Sequence, residues 1–255
     1  MSETTATAEP SRLSVGAVFR RAFDLLMGDF VKFFALAFIV WLPVLIALFI
    51  VGFGYGAWSD FPAPAPSAGI AGAILVGLLT WAAFVLSQAV ILYGAIERMR
   101  GQSFALGESL QRGLARFFPL VGLYVALAII LGIGFVLLVV PGVMLAVALY
   151  VALPACLVEK RGPLESLRRS ADLTKGNRWR IFGIALLLYI GSEIGQVIIH
   201  FTLRLVAGRT IAELCVFLWT VAVGALASIL VAVVYHDLRV AHEGVDIEHI
   251  AQHFD

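Results

Sequence analysis

Apolar residues dominate this chain in long unbroken runs, separated by short polar stretches that carry nearly all the charge. Six runs are long and apolar enough to cross about 30 Å of hydrocarbon, which takes roughly 20 residues in a helix. They are residues 33–54, 68–96, 118–140, 143–158, 181–203 and 211–235. The fourth is short and contains Pro154, and Pro141-Gly142 leaves almost no loop before it. The pattern therefore predicts a tight hairpin of spans three and four, turning at Pro141-Gly142.

Between the runs, the polar stretches carry a second periodicity. Residues 20–32 read RRAFDLLMGDFVK and residues 168–180 read RRSADLTKGNRWR. Both share an Arg-Arg-x-x-Asp-x-x-x-Gly phrase ahead of an apolar run. In the first, Val18, Phe19, Ala22, Phe23, Leu25 and Leu26 fall on one side of a helix and Arg20, Arg21 and Asp24 on the other. In the second, Leu164, Leu167 and Ala171 oppose Glu165, Arg168, Arg169 and Asp172. Pro163 suits the first turn of that helix and Gly176 its end. A weaker third copy, SFALGESLQRGLARFFP, lies between them, and its Glu108-Ser109-Leu110 matches Glu165-Ser166-Leu167.

Each copy precedes a pair of spans. The expected fold is all-α: a polytopic bundle of six transmembrane helices with amphipathic interfacial helices, arranged as three hairpin units. The units run at about 14–97, 103–158 and 163–240, within one membrane domain 14–240. A disordered tail is expected at 1–13 and a cytoplasmic tail at 241–255. Each unit crosses twice, so all three share one orientation and the repeat is of the parallel kind, with its axis along the membrane normal.

Composition agrees with this reading. Of 255 residues, 61% are hydrophobic and only 14% are charged, against about 25% in soluble domains. Mean hydropathy is +0.98. Charge placement is more informative than the net +1. Lys and Arg crowd the segments before spans one, three and five, while the stretch 55–67 and the Pro141 turn have none. That alternation places both termini in the cytoplasm of an inner-membrane protein. The interfacial bases Arg20, Arg21, Arg168, Arg169, Lys175, Arg178 and Arg180 are expected to meet lipid headgroups.

The stretches LSVGAVFRRAFDLLMGDFVKFF, PGV…ALPACLVEKRGPLESLRRSADLTKGNRWRIFG and YHDLRVAHEGVD resemble the glycerophosphoryl diester phosphodiesterase membrane-domain family. The likeness covers nearly the whole chain. It implies a membrane module for anchoring or lipid contact, without the catalytic barrel that accompanies some relatives.

Motifs of soluble enzymes are absent from the sequence: no phosphate-cradling Gly loop with Lys, no CxxC, no HExxH and no nucleophile elbow. Cys156 and Cys215 lie in apolar runs and are expected to be small buried hydrophobes. His249 and His253 stand one helical turn apart in the C-terminal tail, with nothing to fix a third ligand. No cofactor, metal or nucleic-acid partner is expected. The expected partners are membrane lipids and a protein of undefined identity.

Glu193 stands out. It is central in the fifth run, where a carboxylate costs at least about 2.5 kcal/mol. Gln196, Val197, His200 and Arg204 fall on its side of the helix, with Gly191 and Gly195 opposite. Glu193 is therefore expected to face the bundle interior, either hydrogen-bonded to a neighbouring helix or, with Gln196 and His200, forming an intramembrane polar site. Three functions compete. The first is a non-enzymatic module contacting lipid or a partner protein, and the second a small-molecule or ion transporter working through Glu193. The third, an intramembrane enzyme, has no catalytic pair at a readable spacing.

Overall fold

The computed structural model describes residues 13–54, 66–102 and 105–243. The tails, His249, His253 and the Asp60 loop expected to be external lie outside the described residues. Those described form ten α-helices and no strand. Six segments are long and apolar enough to cross a membrane, making this a polytopic membrane bundle.

Three units of like construction follow one another. Unit one is α1 (Val15–Gly28), α2 (Phe30–Gly54) and α3 (Pro66–Met99). Unit two is α4 (Leu106–Ala115), α5 (Phe117–Leu137), and the two halves of one broken span, α6 (Val139–Ala148) and α7 (Ala152–Val158). Unit three is α8 (Pro163–Leu173), α9 (Arg178–Val206) and α10 (Arg209–Glu243). Each amphipathic helix is a separate element. α1 is set off from its span at Asp29, α4 at Arg116, and α8 by the turn from Thr174 to Asn177. Their apolar stripes pack on protein, not on lipid alone. Val18 and Ala22 in α1, Ser109 and Gly113 in α4, and Ser166 and Ser170 in α8 are buried.

The packing is cyclic. Each short helix lies on the second span of the unit before it: α4 on α3, α8 on α7, and α1 on α10. The first spans follow the same order, with α5 touching α3, α9 touching α6, and α2 touching α10. The second spans α3, α7 and α10 meet one another at the centre. Three hairpins thus close into a ring, with the second spans inside.

The hairpin of unit two differs from its expected form. The turn is Leu138 alone, in extended conformation (φ −168°, ψ 151°), and span four begins at Val139. Pro141 sits in the first turn of α6, where its missing N–H costs nothing because that group has no helical partner anyway. Gly142 is what allows the sharp turn, since a Cβ there would press into the Phe135 ring.

Span four breaks at Leu149–Val151, within a buried stretch. A broken helix frees backbone groups that must find partners away from water. α8 supplies them. Ser170 Oγ donates to the Ala148 carbonyl at 2.9 Å and accepts from the Val151 N–H at 3.2 Å, while Thr174 Oγ1 donates to the same carbonyl at 3.2 Å. This explains why α8 buries Ser170 where α1 buries Ala22. Ser170→Ala would leave the Val151 N–H unpaired, lowering stability by about 1–3 kcal/mol. The neighbouring exposed Arg168→Ala should stay within about 0.5 kcal/mol of wild type. Thermal unfolding in detergent measures both, and an unshifted Ser170→Ala would show that the break is held by other means.

Candidate functional site

The polar chemistry of the described residues is gathered at the end of the bundle where α1, α4 and α8 lie. Each inner span finishes there in an acid: Glu97 at the end of α3, Glu159 just past α7, and Asp237 in the last turns of α10. An arginine from the next short helix reaches each one. Arg21 of α1 clasps Asp237 with both terminal nitrogens, Nη1 to Oδ1 at 2.8 Å and Nη2 to Oδ2. Arg112 of α4 stands 3.5 Å from Glu97 and also lies over the Tyr93 ring, 4.7 Å from its centroid. Arg169 of α8 donates Nε to Glu159 at 3.0 and 3.2 Å.

The three arginines hold the same register. Each follows a buried residue by three and precedes a small buried one: Val18…Arg21-Ala22, Ser109…Arg112-Gly113, Ser166…Arg169-Ser170. In the Arg-Arg phrase, the second arginine therefore clamps an acid and the first stays exposed. Arg20 and Arg168 are exposed, free to reach headgroups as expected. Lys175 pairs with Asp172 at 2.7 Å, both exposed, and this contact holds the Asp172 carboxyl below its usual value. Arg178 and Arg180 are half-buried, with Arg178 Nε and Arg180 Nη1 sealed from solvent and without a hydrogen-bond partner.

Glu159 is the most enclosed of the three acids, its side chain 9% exposed. Besides Arg169 it takes Arg161 Nε at 2.5 Å and the Tyr235 hydroxyl, donating at 2.8 Å from α10. Burial by itself raises its carboxyl. The hydrogen bonds from Arg169 and Tyr235, with the charges of Arg169 and Arg161, outweigh burial and hold it below the ordinary value.

Inside the ring of clamps, the ends of the three inner spans enclose a notch. Its floor is apolar, from Ile96 and Met99 on α3, Val158 on α7 and Val240 on α10. Its polar wall is Arg100, Tyr235, His236 and Arg239, with no acid in the lining. Arg100 stands 3.5 Å from Glu97 and His236 3.5 Å from Asp237, so those two acids sit behind the wall. Sequence reading missed this notch because its bases, Arg100 after α3 and His236 and Arg239 on α10, lie more than 130 residues apart in the chain. The signal available was that each inner span ends in an acid flanked by bases.

The α9 residues fall otherwise than expected. Glu193 and Gln196 are exposed on the outside of the bundle and His200 is half-exposed, its ring edge-on to Phe201. α9 turns the opposite face inward, burying Ile181 and Ile184. Gly195 gives the physical reason: a Cβ there would run into the Trp219 ring of α10, whose Nε1 donates to the Ser192 carbonyl at 3.1 Å. The interior polar contact at membrane depth is instead Ser228 Oγ on Gln88 Oε1, at 2.6 Å between α10 and α3.

Glu159→Gln would keep the shape but leave Arg169 and Arg161 without their counter-charge. It should cost roughly 3 kcal/mol, the low end for a broken buried pair because Arg161 is half in water. A carboxyl held below its unfolded value contributes fully above about pH 4.3 and loses that contribution as pH falls toward its folded value. Wild type should therefore lose melting temperature in detergent more steeply than Glu159→Gln as pH drops below that range. Parallel curves would show that Glu159 is not the stabilising acid.

The chain matches no curated protein and no solved structure. A family model does match, over residues 102–241, which takes in units two and three with their short helices. The chain thus belongs to the family described as a domain of unknown function, DUF7847.

Proposed function

We propose that this is a non-enzymatic multi-pass module of the inner membrane that holds an anionic lipid headgroup in the notch among its three inner spans. One observation carries the reading: Arg100, His236 and Arg239 converge over an apolar floor, and the acids beside them, Glu97 and Asp237, are shared with Arg112 and Arg21. A phosphate diester with acyl chains needs such a combination, guanidinium donors beside apolar surface. The exposed Arg20 and Arg168, with Trp179 standing 85% exposed at the start of α9, suit the headgroup layer around it. With its acids taken up as ion-pair partners, the notch has no carboxylate available for acid–base chemistry, which favours binding over catalysis. The sealed break in span four, its Ala148 and Val151 groups taken by α8, favours a holding role over transport. The likeness to the glycerophosphoryl diester phosphodiesterase membrane-domain family belongs to the same reading. Clustered bases at this end favour a cytoplasmic side for it and for both termini.

Two measurements test this. Native mass spectrometry of the purified chain should show phosphatidylglycerol retained over phosphatidylcholine. Arg100→Gln with Arg239→Gln should weaken that preference at least about tenfold, a change of 1.4 kcal/mol, while Arg20→Gln with Arg168→Gln changes it little. Equal retention of both lipids, unaffected by the notch variants, would sink the headgroup reading. For orientation, cysteine placed at Arg209 should react with an impermeant thiol reagent on intact cells and cysteine at Lys175 should not. The reverse pattern would invert the topology.

A further inference from the structure

We infer that two copies of this chain pair in the membrane through the outward face of α9, joined at Glu193 and Gln196. Of the six spans, α9 buries the smallest share of its residues. It packs chiefly on α10, with its far face open. That face carries Tyr189, Glu193, Gln196 and Val197, all exposed, in one stripe that also includes half-exposed His200. Hydrocarbon cannot solvate such groups, and intramembrane ionisable residues face protein or water. Three other polar side chains at membrane depth are satisfied within the chain: Gln88 by Ser228, Thr80 by the Val76 carbonyl, and Thr220 by the Val216 carbonyl. Among the described residues, Glu193 and Gln196 have no such partner. Something outside the described residues must supply one.

The stripe's chemistry selects a second copy. A primary amide both donates and accepts, so Gln196 can pair with its own likeness and can donate to Glu193 of the other copy. A basic partner would be required only if the stripe held acceptors alone. Geometry agrees. Copies of one chain share one orientation in the membrane, so two α9 helices related by a two-fold axis along the normal bring equal depths together. Glu193 then meets Glu193 and Gln196 of the other copy, one turn apart.

Subunit counting by single-molecule photobleaching tests this, using the full tagged chain in phosphatidylethanolamine–phosphatidylglycerol vesicles at low protein density. Wild type should bleach predominantly in two steps. Glu193→Leu with Gln196→Leu should lose most of that two-step population, shifting to one step with its helix content unchanged. Should that variant fail to fold, a second measurement decides: disulfide formation between copies carrying Gln196→Cys, against Ile129→Cys on the exposed face of α5. Crosslinking at 196 well above 129 supports the pairing. Single-step bleaching of wild type, equal crosslinking at the two positions, or capture of a different protein at 196 while the purified chain stays single, each overturns it.

Discussion

The fold depends on one repeated contact, an arginine on a short surface helix closing on the acid that ends the preceding unit's inner span. Each span end brings a carboxylate to the crowded meeting point of α3, α7 and α10. Three acids gathered there would repel one another and raise the cost of packing. The arginines neutralise them from outside, and each does so across a unit boundary. Arg21 and Asp237 are 216 residues apart, so their contact joins the first helix to the last. A charge-assisted hydrogen bond contributes about 1.5–3 kcal/mol when enclosed, and less where, as at Arg21, half the side chain is in water. The clamps are therefore modest in energy and strong in specificity. Only the cyclic order α1 on α10, α4 on α3 and α8 on α7 satisfies all three.

That arrangement also sets the electrostatics of the basic end. The bases that line the notch at the centre are Arg100, His236 and Arg239, the first two also within 3.5 Å of Glu97 and Asp237. A cationic notch is thus a by-product of how the ring closes. The same helix that clamps Glu159 carries Ser170 and Thr174 into the break of span four. Charge pairing and backbone repair in unit two are consequently linked through α8, which cannot shift to loosen one without disturbing the other. In the other two units the inner span is continuous, and α1 and α4 present Val18, Ala22, Ser109 and Gly113 where α8 presents serines.

Much of this was legible in the sequence, for identifiable reasons. Long apolar runs mark spans because nothing else tolerates them, and the 3.6-residue period of α1 and α8 survives because one face must pack. The assignment of the paired arginines was half visible. Periodicity puts Arg20 and Arg21 on the polar side, but only tertiary structure separates the exposed first residue from the clamping second. Glu193 was misplaced for a related reason. A helical wheel separates its stripe from Gly195 without saying which side the neighbour takes, and the Trp219 ring decides for Gly195. Pro141-Gly142 looked like a turn by composition. Yet proline is equally at home in a helix's first turn, and the chain reverses three residues earlier at Leu138.

The family match begins at residue 102, where unit two begins, and so leaves unit one outside it. Of the three clamps, only Arg169 with Glu159 lies wholly within the matched region. Arg112 also pairs with Glu108 on its own helix, so it is Asp237 that looks to unit one for its arginine, Arg21. Without unit one, Asp237 would lose that partner and the notch would lose Ile96, Met99 and Arg100. Two units can form hairpins and one clamp, but they cannot close a ring. In this chain the first unit is therefore the piece that closes the ring and completes the notch.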